Sequence, residues 1–123
     1  MLSNVEGKNK NYGKLIQSVK SANPDVVVLQ ETTEEWWRQI QVLTDDYPHF
    51  KALPRPGGGG MVLLSRFPLE RADVLILDES THPAMSAKIN LDGTTLSLLS
   101  LHPPTPMRIH KFNYRNGQLE QAA

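Results

Sequence analysis

The sequence contains no cysteine, which excludes a disulfide scaffold and a metal site built from thiolates. Its charges balance, with 13 basic and 13 acidic side chains, and the lack of a basic excess argues against a general binder of polyanions. No stretch reaches the roughly 18 apolar residues that a membrane-spanning helix needs, so no transmembrane segment is predicted. The N-terminus also lacks the apolar region of a signal peptide. With 123 residues, the chain has the length of one domain.

The balanced total conceals an uneven distribution of charge. Residues 25–46 carry six acidic side chains against the single basic residue Arg38, whereas residues 1–24 carry four basic side chains against one acidic and the tail after His102 carries three against one. Such a pattern is typical of solvated helix faces. The alternative interpretation is an acidic patch that lies between two basic segments.

The first thirty residues predict a strand, a helix and a second strand. Residues 1–5 resemble the end of a strand, and Pro24 stops the helix that follows. Residues 26–29 form a continuous apolar run, which is typical of a strand buried on both faces of a parallel sheet. Together these elements predict a βαβ unit with parallel strands. The helix is indicated by apolar residues at helical spacing, namely Tyr12, Leu15, Ile16 and Val19.

The rest of the chain predicts one more helix pattern and then mostly strands. Thr32 and Glu35 fit a capping box at the start of a second helix. Asp92 and Gly93 give a strong hairpin turn signal. The predicted fold class is therefore α/β, with a mixed sheet and flanking helices. The later elements are strands at residues 61–65, 74–77, 85–91 and 95–101, and a last helix at residues 107–121.

Three polar residues follow strands of this prediction directly. Asn4 ends the first strand, Glu31 comes just after the second, and His102 follows the last apolar strand. Because the first two strands are parallel, Asn4 and Glu31 emerge at the same edge, where open α/β sheets bind their ligands. A carboxylate and an amide oxygen there could share Mg²⁺, and an imidazolium could neutralise a phosphate.

Each of these residues also has a purely structural interpretation. Asn4 could be a turn former, and Glu31 could be a first-turn helix residue favoured by the helix dipole. His102, which precedes two prolines, could be a structural donor in a loop. Their predicted position at a shared edge is what favours the functional interpretation.

Several motifs resemble the endonuclease/exonuclease/phosphatase superfamily. The most specific is Pro-Asp-Val-Val-Val-Leu-Gln-Glu at residues 24–31, which looks like the opening of that family. Residues 59–69 resemble its Gly-x-x-x-Leu-Ser-Arg-x-Pro segment. Residues 101–106 and 115–119 are similar to a His-Pro-Pro-x-Pro loop and an Arg-Asn-x-Gln-Leu helix of a bacterial subgroup.

The resemblance implies hydrolysis of phosphoester bonds with Mg²⁺, for which Mn²⁺ is a possible substitute. It implies that Glu31 binds the metal and that Asn4 lies beside metal and phosphate. It places His102 near the scissile phosphate, so that Asn4 and His102 are the candidate catalytic residues. The implied substrate is a phosphoester of a nucleic acid, a phospholipid or a small molecule.

Members of this family are roughly twice as long and form a four-layer α/β/β/α sandwich. Their second half carries a Gly-Asp-Phe-Asn-like motif and a terminal Ser-Asp-His, which this chain lacks after Gln118. Residues 1–123 are therefore expected to be one truncated domain with little or no activity alone. We also expect self-association through an exposed sheet face. The competing hypothesis is a non-catalytic binding or regulatory half-domain.

Overall fold

The first three elements form the predicted βαβ unit. In this computed structural model, which describes residues 1–75 and 83–102, β1 (Leu2–Asn4) pairs in parallel with β2 (Val26–Gln30). Between them lies α1 (Tyr12–Ala22). This helix ends where Asn23 adopts a left-handed conformation and donates its backbone N–H to Val19, as a helix C-cap does. The prediction for this part of the chain is confirmed.

The second helix begins one residue later than the capping box predicts. In α2 (Glu34–Ile40) the cap is Thr33, whose hydroxyl accepts the backbone N–H of Trp36 at 3.2 Å. Thr32 is instead fully buried, and its own N–H donates to the carbonyl of Gly60. The capping box of Thr32 with Glu35 was therefore wrong, because a tertiary contact occupies Thr32. A short 3-10 helix, Gln41–Asp45, continues α2.

The first sheet is mixed and has the order β1-β2-β4-β3. Its central strand β4 (Met61–Ser65) is buried along its whole length and pairs antiparallel with β2 on one side. On the other side it pairs antiparallel with β3 (His49–Leu53), a strand that the sequence did not predict. The mixed sheet of the predicted fold class is confirmed.

The second sheet is antiparallel and contains β5 (Leu69–Leu75), β6 (Ala84–Leu91) and β7 (Thr94–Ser100) in that order. Asp92 and Gly93 connect β6 to β7 with φ angles of 51° and 94°, the positive values that a tight hairpin turn requires. The predicted hairpin is confirmed. The predicted last helix, with Arg115 and Gln118, lies outside the described residues, as does the end of the strand predicted to reach residue 77.

The described residues form three layers, with the helices on the first sheet and the second sheet against its other face. One core fills the helix side of the first sheet, and the other lies between the sheets. This arrangement is α/β and corresponds to half of a larger α/β sandwich, as predicted. No helix among the described residues is long and apolar enough to cross a membrane. The core between the sheets contains Val28, Met61, Leu63, Met85, Ala87 and Ile89.

A polar corner fixes the start of β2 to the end of β4. Tyr47 is 2% exposed, and its hydroxyl donates to the carbonyl of Pro24 at 2.6 Å. Burial raises the pKa of Tyr47, although the nearby Arg66 guanidinium opposes this rise. Arg66 lies over the Tyr47 ring at 5.0 Å, donates to Asn23 and pairs with Asp25 at 3.6 Å. Arg66 thus anchors a loop, at the opposite end of β2 from Glu31.

Candidate functional site

The three candidate residues meet at one carboxylate oxygen. The side-chain amide of Asn4 donates to Oε1 of Glu31 at 2.8 Å, and Nε2 of His102 lies 3.2 Å from the same oxygen. The Glu31 and His102 side chains are 25% and 19% exposed. The carboxylate is therefore held on two sides and still open to solvent. The three side chains therefore lie together, as predicted, at the place where β1, β2 and β7 end.

Backbone pairing brings Asn4 and Glu31 together. Asn4 is in register with Gln30 in the parallel pair, so Glu31 is the first residue beyond it. Glu31 has a φ of 61°, which lies in the left-handed region that non-glycine residues rarely adopt. Such a conformation costs about 1–2 kcal/mol and persists only where the surroundings enforce it.

The surroundings that enforce it are the backbones next to Thr32. The Thr32 N–H donates to the Gly60 carbonyl at 3.2 Å, and the Arg55 N–H donates to the Thr32 carbonyl at 3.0 Å. Gly60 approaches so closely that a Cβ there would lie 1.8 Å from the Thr32 oxygen. Sequence reasoning did not find Gly60. The available signal was the last glycine of the run that precedes β4, at the point where this strand meets β2.

Asn4 presents its amide nitrogen to Glu31. Its Oδ1 accepts the backbone N–H of Glu6 at 2.9 Å, and this bond fixes which way the amide faces. Oδ1 has a second lone pair, but in this orientation the amide turns its nitrogen, and not that oxygen, towards Glu31. The role of Asn4 that this geometry provides directly is to hold the Glu31 carboxylate, and its role as a metal ligand stays a prediction.

His102 reaches the site from the other sheet. It lies two residues beyond the end of β7, and the carbonyl of the preceding Leu101 accepts the Gln30 side-chain amide at 2.8 Å. Gln30 is buried, with 8% of its surface exposed. Sequence reasoning did not find Gln30 either. Its signal was a polar residue at the end of an otherwise apolar strand, immediately before Glu31.

The donor set limits what metal the site could hold. Within residues 1–75 and 83–102, no group of three or more His, Asp or Glu side chains is arranged to hold a metal ion. Mg²⁺ needs no such cage, because it commonly takes one or two carboxylates and completes its shell with water and phosphate oxygens. A single carboxylate such as Glu31 is therefore compatible with a hydrated Mg²⁺, and metal binding at Glu31 stays a prediction.

A polar pocket lies next to the site. Its volume is about 220 Å³, and Asn4 forms part of its wall. Since one water occupies about 30 Å³ of the liquid, the pocket has room for several waters or a small polar group. The polar side chains in its wall include Asn9, Asn11, Lys14 and Ser18.

Solved structures of other proteins share this fold at low identity. TDP2 of D. rerio complexed with single strand DNA product has 17% identity and a TM-score of 0.83 over 98% of this chain and 51% of that one. Sphingomyelinase C from Streptomyces griseocarneus has 19% identity and a TM-score of 0.76, covering 98% of this chain and 55% of that one. An endonuclease/exonuclease/phosphatase from Beutenbergia cavernae has 18% identity and a TM-score of 0.76, covering 97% of this chain and 41% of that one. The chain thus spans about half the length of these proteins.

The sequence itself carries the family assignment. No curated protein matches it, but the model of the Endonuclease/Exonuclease/phosphatase family matches residues 1–123, which is the whole chain. This match agrees with the motifs at residues 24–31 and 59–69 and with the shared fold. The protein therefore belongs to the endonuclease/exonuclease/phosphatase family.

Proposed function

We propose that this chain is the N-terminal portion of a Mg²⁺-dependent phosphoesterase, in which Mn²⁺ can replace Mg²⁺. The observation that carries the proposal is the convergence of Asn4 and His102 on Oε1 of Glu31. These side chains come from three different strand ends. Their meeting requires a left-handed residue and a glycine with no room for a Cβ, which are local costs typical of functional sites.

In this proposal Glu31 holds the metal. When bound, Mg²⁺ would supply Lewis-acid polarisation of a phosphoryl oxygen. Asn4 keeps the carboxylate oriented through its amide hydrogen bond. His102 sits beside Glu31, where an imidazolium would offset the negative charge of a phosphate in the ground state and in the transition state.

The substrate class is a phosphoester, and a nucleic acid, a phospholipid and a small molecule all remain candidates. The structure of D. rerio TDP2 with its single strand DNA product supports a nucleic acid, and the similarity to a sphingomyelinase supports a phospholipid. In this chain, Lys14 and the asparagines of the polar pocket next to Asn4 suit an anionic or polar part of any of them.

Metal binding is the direct test of this proposal. We expect saturable Mn²⁺ binding by isothermal titration calorimetry, and we expect Glu31→Gln to weaken it about tenfold or more, because changes even to groups behind a ligand cost about 10–100-fold. Glu34→Gln is the matched control, since Glu34 is an exposed carboxylate three residues further along. Wild-type protein without saturable binding, or Glu31→Gln protein that binds normally, would contradict the proposal.

Hydrolysis of bis-p-nitrophenyl phosphate completes that test. Because the chain spans about half the length of the similar structures, we propose that it is weakly active or inactive alone. Turnover at the rate of whole enzymes, about 1–1,000 per second, would contradict this part of the proposal.

The second candidate function is a non-catalytic binding or regulatory half-domain. The observation in its favour is that Asn4 and His102 both contact Oε1 of Glu31, so that protein groups already occupy this oxygen. The Mn²⁺ titration separates the two candidates. Metal binding that depends on Glu31 supports the phosphoesterase, and its absence supports the half-domain.

We also propose that the protein self-associates, through the edge strands β1 and β7 rather than through the exposed sheet face that the sequence predicted. Among the described strands, β1 and β7 are each one of the two edge strands of their sheet, and an apolar groove of about 440 Å³ lies between them. Leu2 and Leu99 in its wall are 65% and 47% exposed. A second copy related by a two-fold axis would cover the groove and pair the edge strands.

Light scattering at increasing concentration tests this association. We expect dimers in the wild-type protein and a shift towards monomer in Leu99→Lys, because a charge would be placed in the apolar contact. Val42→Lys is the matched control, since Val42 has a similar exposure of 49% but does not line the groove. A wild-type protein that stays monomeric, or equal effects of the two substitutions, would contradict the association.

A further inference from the structure

The two sheets contribute different parts of the candidate site. Asn4 and Glu31 come from the first sheet, where the register of β1 with β2 sets their separation. His102 follows β7, which in the described part of the chain pairs only with β6. Backbone pairing therefore cannot set the position of His102 relative to Glu31. A contact between the sheets has to do so.

Gln30 supplies such a contact at the site itself. Its Nε2 donates to the Leu101 carbonyl at 2.8 Å across a sequence separation of 71 residues. Gln30 immediately precedes Glu31, and Leu101 immediately precedes His102. One hydrogen bond thus joins the backbones from which the carboxylate and the imidazole project, and the 3.2 Å contact between those two groups follows directly after it.

The surroundings of this bond make it effective. Gln30 is 8% exposed, so water competes weakly for its amide. Leu101 lies just beyond the last residue of β7, and its carbonyl is therefore outside the antiparallel ladder. Gln30 and Leu101 both line the apolar groove between β1 and β7, and the bond between them is part-buried. Breaking a part-buried hydrogen bond is unfavourable, which keeps the amide on the carbonyl.

We infer that Gln30 is a positioning residue, which places His102 against Glu31 by holding the Leu101 carbonyl. The geometric part of this inference stands without any metal or substrate. Its catalytic consequence rests on the proposed function. In the complete enzyme, a displacement of His102 by about 1 Å would lower the rate about 100-fold.

The test uses Gln30→Met, which keeps the length of the side chain and removes its donor. The readout is the nuclear Overhauser effect between the His102 ring protons and the Asn4 side-chain amide protons, measured without metal, since both groups contact Glu31 Oε1. We expect a severalfold weaker effect in Gln30→Met. Gln39→Met is the control, because Gln39 is an exposed glutamine whose amide bonds to Glu35.

Mn²⁺ affinity separates positioning from general support of the fold. Thr32, Gly60 and Arg55 hold Glu31 independently of Gln30, so the affinity of Gln30→Met should equal that of wild type. An unchanged Overhauser effect would overturn the inference, and so would a loss of both the effect and the affinity. If the wild-type protein binds no Mn²⁺, the proposed function fails, and the metal-free measurement still decides the role of Gln30. Gln30→Asn, which shortens the side chain, provides a second variant if Gln30→Met fails to fold.

Discussion

Replacing Trp36 with alanine is expected to lower the free energy of unfolding by about 3–5 kcal/mol, the usual cost of removing a large buried aromatic side chain. Trp36 is 1% exposed and lies in the core between the helices and the first sheet. Its ring also makes an edge contact with Tyr12 of α1, at a centroid distance of 4.6 Å. Because domains of this size have a total stability of about 5–15 kcal/mol, urea denaturation would detect a large shift of the midpoint.

The adjacent residue provides the matched control. Trp37 is only partly buried, and its ring contacts Phe50, which is 45% exposed, at 5.3 Å. Trp37→Ala should therefore cost about 1 kcal/mol, the size of an exposed aromatic pair. Trp36→Phe should be much milder than Trp36→Ala, because it keeps most of the ring and removes an indole N–H that has no hydrogen-bond partner among the described residues. Equal losses for Trp36→Ala and Trp37→Ala would contradict this assignment of the core.

Local patterns in the sequence predicted the elements that form from neighbouring residues. Tyr12, Leu15 and Val19 repeat at helical spacing, and the structure places them on the face of α1 that packs against the first sheet. Asp92 and Gly93 have the backbone freedom that a tight hairpin requires, and they form one. Both signals act over a few residues, so they can be read without knowing the rest of the fold.

The elements that sequence reasoning missed depend on distant partners. β3 is an edge strand, and its Phe50 and Lys51 are exposed, so the alternation that would mark a strand is weak. Thr32 and Thr33 are both suitable caps by local chemistry. The choice between them is made by Gly60, which is 28 residues away and binds the N–H of Thr32. No local pattern carries that information.

The residues of the candidate site also fall into two groups, those that the sequence predicted and those that it missed. Asn4, Glu31 and His102 were found because polar residues at the ends of apolar strands are visible in the sequence. Gln30 also ends an apolar strand, but it and Gly60 were missed because their partners are backbone carbonyls of residues far away in the chain, which no local pattern reveals. The residues that could carry chemistry were therefore predictable, whereas those that fix their positions required the structure.

Replacing Gly60 with alanine is expected to destabilise the protein by about 3 kcal/mol, combining an overpacked contact with a damaged backbone hydrogen bond. A Cβ at this position would lie 1.8 Å from the Thr32 carbonyl oxygen and 2.8 Å from the Arg55 nitrogen. These are backbone atoms, so no side-chain rotation relieves the clash. Thr32 has to move, and Glu31 moves with it, so that Mn²⁺ binding should weaken together with stability.

Gly13→Ala makes this prediction specific. Gly13 lies in α1, and in the described part of the chain a Cβ there would meet nothing within 4 Å, so alanine should raise the free energy of unfolding by about 0.5–1 kcal/mol through its better helix propensity. A glycine-to-alanine substitution is thus expected to lower the free energy of unfolding at Gly60 and to raise it at Gly13. Only the substitution at Gly60 should alter Mn²⁺ affinity. Urea denaturation and calorimetric titration of both variants measure this. A Gly60→Ala protein with wild-type stability would show that Thr32 can move freely, and Gly60 would then not be what holds Glu31 in its left-handed conformation.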